Sequence, residues 1–156
     1  MVEGRDGIED ARTALAAGEL VILPTETVYG LAADAANPTA VAAIFEAKGR
    51  PRFNPLIAHV ADLPMAERTA VFDDDARKLA AAFWPGPLTL VLPVAEGAPV
   101  CDLARAGLET VAVRVPAHPV ARQVIEAFGA PVVAPSANRS GRPSPTSFTD
   151  AVEETG

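Results

Sequence analysis

The sequence predicts an α/β domain (α+β in some schemes), with helices layered on a twisted mixed β-sheet. Two observations carry that expectation. Apolar runs of strand length at residues 20–23, 55–61, 88–94, 111–115 and 131–134 alternate with stretches at 8–17, 38–49, 73–83 and 118–128 whose apolar residues recur at helical spacing. Proline and glycine punctuate the boundaries between them. At 156 residues the chain fits a single domain, one able to bury roughly two thirds of the surface its unfolded form exposes. Hydrophobic residues make up 49% and charged residues 21%, which is globular composition.

Each element has a local reason. Ile8, Ala11, Leu15 and Ala16 share one side of the first helix, opposite Glu9, Asp10 and Arg12, and Gly18 ends it. The continuous run Leu20-Val21-Ile22-Leu23 reads as a strand buried on both faces, stopped by Pro24, which has no N–H for a ladder. Asn37-Pro38 supplies an N-cap and a proline at the first helical position, and Val41, Ile44 and Phe45 give that helix its buried face. Residues 55–61 form a strand containing His59. Asp73 opens a helix with acids in its first turn, where the macrodipole favours them, and Trp84-Pro85-Gly86-Pro87 breaks it, with Trp84 as a core plug. A strand at 88–94, a loop at 95–108 and a strand at 111–115 around Arg114 follow. The helix at 118–128 is introduced by Pro116 and Pro119, the strand at 131–134 comes next, and a last helix begins near Phe148.

Composition excludes several classes. No apolar run approaches the roughly 20 residues that span a bilayer, and the N-terminus lacks the basic-then-apolar order of a signal peptide, so no membrane partner and a cytoplasmic location are expected. Cys101 is the only cysteine, which removes an intrachain disulfide or a cysteine-based zinc site, and no metal site is assigned. The formal charge of -7 argues against a basic nucleic-acid coat. Yet Lys48, Arg50 and Arg52 lie in a stretch without acidic residues, and Arg114, Arg122, Arg139 and Arg142 lie between Thr110 and Ser147 with only Glu126. Brought together, these segments would make a local cationic pocket suited to a small anion.

The densest chemistry lies at strand ends. Thr25, Glu26, Thr27 and Tyr29 crowd the end of the first strand, where open α/β sheets place their ligand crevice. A second polar loop, from Ser136 to Thr146, follows the last strand. Neither GxxxxGK[ST] nor GxGxxG is present, so an anion has to be held by side chains. Lys48 and Arg50 just past a helix suit one side of a triphosphate, arginine through its planar fork of donors. Ser136, Asn138, Ser144 and backbone N–H groups near Gly141 suit the other.

Together these residues resemble the YrdC-type family of threonylcarbamoyl-AMP synthases. The matching pieces are PTETVYGL at 24–31, KGRPxxNPL at 48–56, WPGPLTLVL at 84–92, VAVRVP at 111–116 and APSANxSGxPSPT at 134–146, in the family's order and over nearly the whole chain. The resemblance implies a YrdC-like domain with a concave cationic cleft and an enzyme that condenses L-threonine, bicarbonate or CO2, and ATP with Mg2+ to threonylcarbamoyl-AMP and pyrophosphate. The product would feed threonylcarbamoylation of tRNA adenosine by a separate transferase complex. By position in the motifs, Thr27, His59, Arg114 and Ala134 would face threonine, and Arg50, Asn54, Thr110, Ser136 and Ser144 would contact ATP. Lys48, Arg50, Ser136 and Asn138 would carry catalysis through the KxR and SxN signatures.

Family members continue past the last helix with another strand and a serine-containing segment that closes over threonine. Residues 1–156 are therefore expected to form one YrdC-like domain lacking that strand and closing segment. The alternative reading is a module that binds tRNA or double-stranded RNA in the cationic cleft without catalysis, with weak RNA binding as its signature.

Overall fold

The computed structural model describes residues 4–24, 29–48, 56–86 and 88–135. The first helix, α1 (Gly4–Ala16), begins four residues ahead of the expected start at Ile8 and buries Ala11 and Leu15 on one face. It ends as expected before Gly18, whose φ of +82° is the left-handed conformation that glycine adopts without strain.

The strands β1 (Val21–Pro24) and β2 (Tyr29–Asp34) pair antiparallel, from Val21 opposite Ala32 to Pro24 opposite Tyr29. Among the described residues β1 is an edge strand, paired on one side, so Pro24 does not stop the ladder but occupies its last described position, where a missing donor is tolerated. Val21 and Leu23 are nonetheless buried by packing. β2 was not expected, because Gly30-Leu31-Ala32-Ala33 has low strand propensity; pairing on both sides overrides that preference.

Helix α2 (Pro38–Lys48) is capped as expected: Asn37 Oδ1 accepts the N–H groups of Thr39 and Ala40 at 3.0 and 3.2 Å. Its Val41, Ile44 and Phe45 are buried. Strand β3 (Ile57–His59) is shorter than the expected run at 55–61. Helix α3 (Leu63–Thr69) was not anticipated, although its cap is legible: Asp62 Oδ1 accepts the Met65 N–H at 2.9 Å and Pro64 sits in the first turn. Helix α4 (Asp74–Phe83) follows, with Asp73 accepting the Ala76 N–H at 2.8 Å.

Strand β4 (Leu90–Pro93), a single 3-10 turn (Leu103–Arg105) inside the expected loop, and strand β5 (Thr110–Arg114) lead to helix α5 (Pro119–Phe128). Its N-cap is His118, whose Nδ1 accepts the Val120 N–H, and Gly129 closes it in the left-handed region. Strand β6 (Val132–Val133) completes a six-stranded sheet in the order β1-β2-β6-β3-β5-β4. Among the described strands β3 and β5 are parallel neighbours, and the other pairs are antiparallel. The helix expected from Phe148 lies outside the described residues.

Helices flank this mixed sheet: α1 and α5 pack on one another and on β1, α2 packs on β2, and α3 on β5. Phe45, Leu15, Leu23, Ile44 and Ile125 are the largest fully buried side chains. No helix among the described residues is long and apolar enough to cross a membrane.

Candidate functional site

The parallel β3–β5 ladder sets Ile57 opposite Ala112, Ala58 opposite Val113 and His59 opposite Arg114. Direct partners project to the same side of a sheet. Along β5, Val111 and Val113 are buried in the core, whereas Thr110, Ala112 and Arg114 alternate to the other, more accessible face. His59 and Ile57 therefore share that face. On the far side of β3, Val132 lies opposite His59, and the alternation carries Ala134 to the same face. Three adjacent strands thus gather His59, Arg114, Thr110 and Ala134, all expected from the sequence, on one surface. Neighbouring strands stand about 4.8 Å apart, and Thr110 and Arg114 are about 13 Å apart along β5.

Local contacts fix the two basic side chains. His59 is 4% exposed, and its Nδ1 lies 3.0 Å from the Ile57 carbonyl oxygen. A carbonyl only accepts, so Nδ1 donates and the ring's orientation is set by its own strand. Arg114 is half-buried and directs Nε and Nη2 onto Thr89 Oγ1 at 2.9 and 2.7 Å. One step beyond the last β4–β5 pair, Leu90 opposite Val113, the ladder brings Thr89 opposite Arg114. Thr89, Arg114 and His59 therefore form one cross-strand row.

Thr89 was not singled out from the sequence as a site residue. Its position depends on the turn before it, which is tied down at several points. Trp84 Nε1 donates to the Leu88 carbonyl at 2.8 Å, Gly86 N–H donates to the Val115 carbonyl at 2.9 Å, and the Trp84 ring meets Phe72 edge to face with centroids 6.1 Å apart. The Trp84–Pro85 bond is cis. Trp84 is half-buried and packs against the core as a plug at the helix end. It also borders a cleft of about 210 Å³ together with Pro85, Asp62 and Arg122.

Arg122 is used differently from Arg114. Its Nε and Nη2 reach the Ala61 carbonyl at 3.4 and 3.3 Å, which ties α5 to the segment just past β3. Among the described residues no group of three or more His, Cys, Asp or Glu side chains is placed to hold a metal ion.

Thr27, Arg50, Asn54, Ser136, Asn138 and Ser144 lie outside the described residues, and Lys48 is the last residue of α2. Their described neighbours nevertheless converge. By the strand directions, β2, β3 and β5 start, and β1 and β6 finish, at one end of the sheet, which places Pro24, Tyr29, Leu56, Thr110 and Pro135 there. The Pro135 carbonyl accepts the Leu31 N–H at 2.8 Å, holding the end of β6 against β2.

Fold and site together define a YrdC-like α/β domain that gathers His59, Arg114 and Thr110 on one face of its mixed sheet. The chain belongs to the Sua5/YciO/YrdC family: the family model, described as telomere recombination, matches residues 13–156. It is 49% identical over 160 residues to a threonylcarbamoyl-AMP synthase of Pyrococcus abyssi, covering 99% of this chain and 46% of that protein. A threonylcarbamoyl-AMP synthase of Bacillus subtilis is 51% identical over 140 residues, covering 89% of this chain and 40% of that protein. The crystal structure of Pyrococcus abyssi Sua5 complexed with L-threonine superposes with a TM-score of 0.90 at 51% identity, covering 95% of this chain and 43% of that one. The chain thus spans less than half the length of these relatives.

Proposed function

We propose that this chain carries the threonylcarbamoyl-AMP synthase reaction, condensing L-threonine, bicarbonate or CO2, and ATP to threonylcarbamoyl-AMP and pyrophosphate. The observation that carries the reading is the row in which Arg114, fixed by Thr89, stands beside His59 on a face shared with Thr110 and Ala134. Identity to the named synthases, and the L-threonine complex of one structural relative, support it.

In this reading the threonine carboxylate pairs with Arg114, whose guanidinium offers a planar fork of donors. His59 and Thr27 contact the amine and hydroxyl, and the main chain at Ala134 contributes a polar contact. The threonine amine adds to CO2 to give a carbamate. A carbamate oxygen then attacks the α-phosphorus of ATP while the bond to the pyrophosphate oxygen breaks. The carbamate is a weak and unstable nucleophile, so holding it in line with the phosphorus, away from water, supplies most of the catalysis.

Arg50, Asn54, Thr110, Ser136 and Ser144 are assigned to ATP, and Lys48, Arg50, Ser136 and Asn138 to the charge that develops on the phosphates. These residues are what would make the cleft cationic. Mg2+ would enter with ATP as part of the substrate and would offset negative charge on the phosphates. The product passes to a separate tRNA threonylcarbamoyl transferase complex, in the cytoplasm.

The test is pyrophosphate release with each substrate omitted in turn, beside calorimetric titration of ATP with Mg2+. Release that requires L-threonine, bicarbonate and ATP together is expected. ATP binding without release would confine the chain to substrate binding. Absence of ATP binding, together with RNA affinity that falls steeply with salt, would replace the synthase by the RNA-binding reading.

A further inference from the structure

We infer that Thr89 is a positioning residue for the amino-acid substrate, acting through Arg114; the inference rests on the assignment of Arg114 to the threonine carboxylate made above. A guanidinium has two donor edges that can each meet an oxygen pair or a single acceptor: the Nε/Nη2 edge and the Nη1/Nη2 end. Here the first edge is spent on one atom, Thr89 Oγ1, at 2.9 and 2.7 Å. Nη1 meets no partner among the described residues. The hydroxyl therefore fixes the plane and rotation of the guanidinium and leaves its end donors for a ligand.

The arrangement is built into the backbone at three levels. Thr89 is the cross-strand neighbour of Arg114, one step past Leu90 opposite Val113. The turn leading to it is pinned to β5 by the bond from Gly86 to the Val115 carbonyl, one residue past Arg114. The same turn is fixed from the helix side by Trp84, whose indole N–H holds the Leu88 carbonyl next to Thr89. Clamping the arginine in this way lowers the conformational entropy lost when a carboxylate docks. A hydroxyl suits the task because it accepts both N–H groups without carrying a charge that would compete with the substrate for the guanidinium.

The test compares Thr89→Val, which keeps the shape and removes the acceptor, with Thr89→Ser, which keeps the acceptor, and with Arg114→Ala, in the full chain. L-threonine affinity is read by calorimetric titration with ATP present, which needs no turnover, alongside KM for each substrate and the melting temperature. Thr89→Val is expected to weaken L-threonine binding about tenfold, the worth of a hydrogen bond to a charged group, with ATP affinity within about twofold of the parent. Thr89→Ser is expected to restore threonine affinity to within about threefold, and Thr89→Val to add nothing in an Arg114→Ala background. Unchanged threonine affinity in Thr89→Val beside a loss in Arg114→Ala overturns the positioning role alone. Unchanged affinity in both overturns the assignment of Arg114 to threonine, and the inference with it. Equal losses for threonine and ATP, or failure of Thr89→Val to fold while Thr89→Ser binds threonine poorly, make Thr89 a structural residue and also overturn the role.

Discussion

His59 and Arg114 are direct partners in the parallel β3–β5 ladder, so a histidine and an arginine separated by 55 positions in sequence stand side by side on one face of the sheet. His59 Nδ1 donates to the Ile57 carbonyl, and Arg114 donates to the Thr89 hydroxyl, its acceptor among the described residues. An arginine held only by neutral acceptors keeps its full charge available to an incoming anion, which a carboxylate partner would have neutralised.

Arg114→Ala is expected to lower L-threonine affinity about a hundredfold, the range for truncating one partner of a hydrogen-bonded charge pair. Arg114→Lys keeps the charge and loses the fork, so it should recover only part of that loss. Calorimetric titration separates the three proteins. Recovery to the parent's affinity in the lysine variant would show that charge alone, and not bidentate geometry, is recognised.

His59→Ala removes a buried ring and its bond to the Ile57 carbonyl. A loss of about 1–3 kcal/mol in stability is expected from the unpaired buried group and the space left behind. Urea unfolding should show a lower midpoint with an unchanged slope. An unaltered midpoint would mean that His59 is not a support of the sheet and serves the ligand alone.

How far the sequence revealed all this depends on the distance over which each feature is decided. Helices α2, α4 and α5 were legible because Asn37, Asp73 and Pro119 mark their starts and apolar residues recur on one face of each. β2 was not, since Gly30-Leu31-Ala32-Ala33 becomes a strand only through its two neighbours in the sheet. β1 looked central because its residues are all apolar, yet burial of Val21 and Leu23 comes from side-chain packing, while among the described residues one edge of its backbone pairs with no strand. Of the site, His59, Arg114, Thr110 and Ala134 were named through family motifs, and the register adds that they share a face. Thr89 lies within the motif at 84–92 but carried no assignment there, because its contact with Arg114 is made with a residue 25 positions away and follows from strand pairing.

Gly86 should not tolerate a side chain. A Cβ placed there would approach the Phe83 carbonyl oxygen to 2.6 Å, a backbone atom that cannot move aside without unwinding the end of α4. Gly86→Ala is expected to cost about 1–3 kcal/mol, or a melting temperature lower by about 2–4 °C for each kcal/mol. Because the same turn carries Thr89, threonine affinity should fall as well. Loss of stability with threonine affinity intact would separate the turn from the site.

Arg122 shows that a cationic residue in an acid-poor segment need not serve a ligand. It lies on α5, only eight positions after Arg114, but its Nε and Nη2 are directed at the Ala61 carbonyl, two residues past His59, where they join a helix to the end of β3. The long separations, 3.4 and 3.3 Å, make this a modest tie, in the lower part of the usual range of about 0.5–1.5 kcal/mol for a net hydrogen bond. Arg122→Met keeps the aliphatic stem that covers the cleft beside Trp84 and removes the charge. Stability is expected to drop by about 0.5–1 kcal/mol, with L-threonine and ATP affinities within about twofold of the parent. A tenfold loss of ATP affinity in this variant would instead place Arg122 among the phosphate-facing cations and extend the proposed cleft along α5.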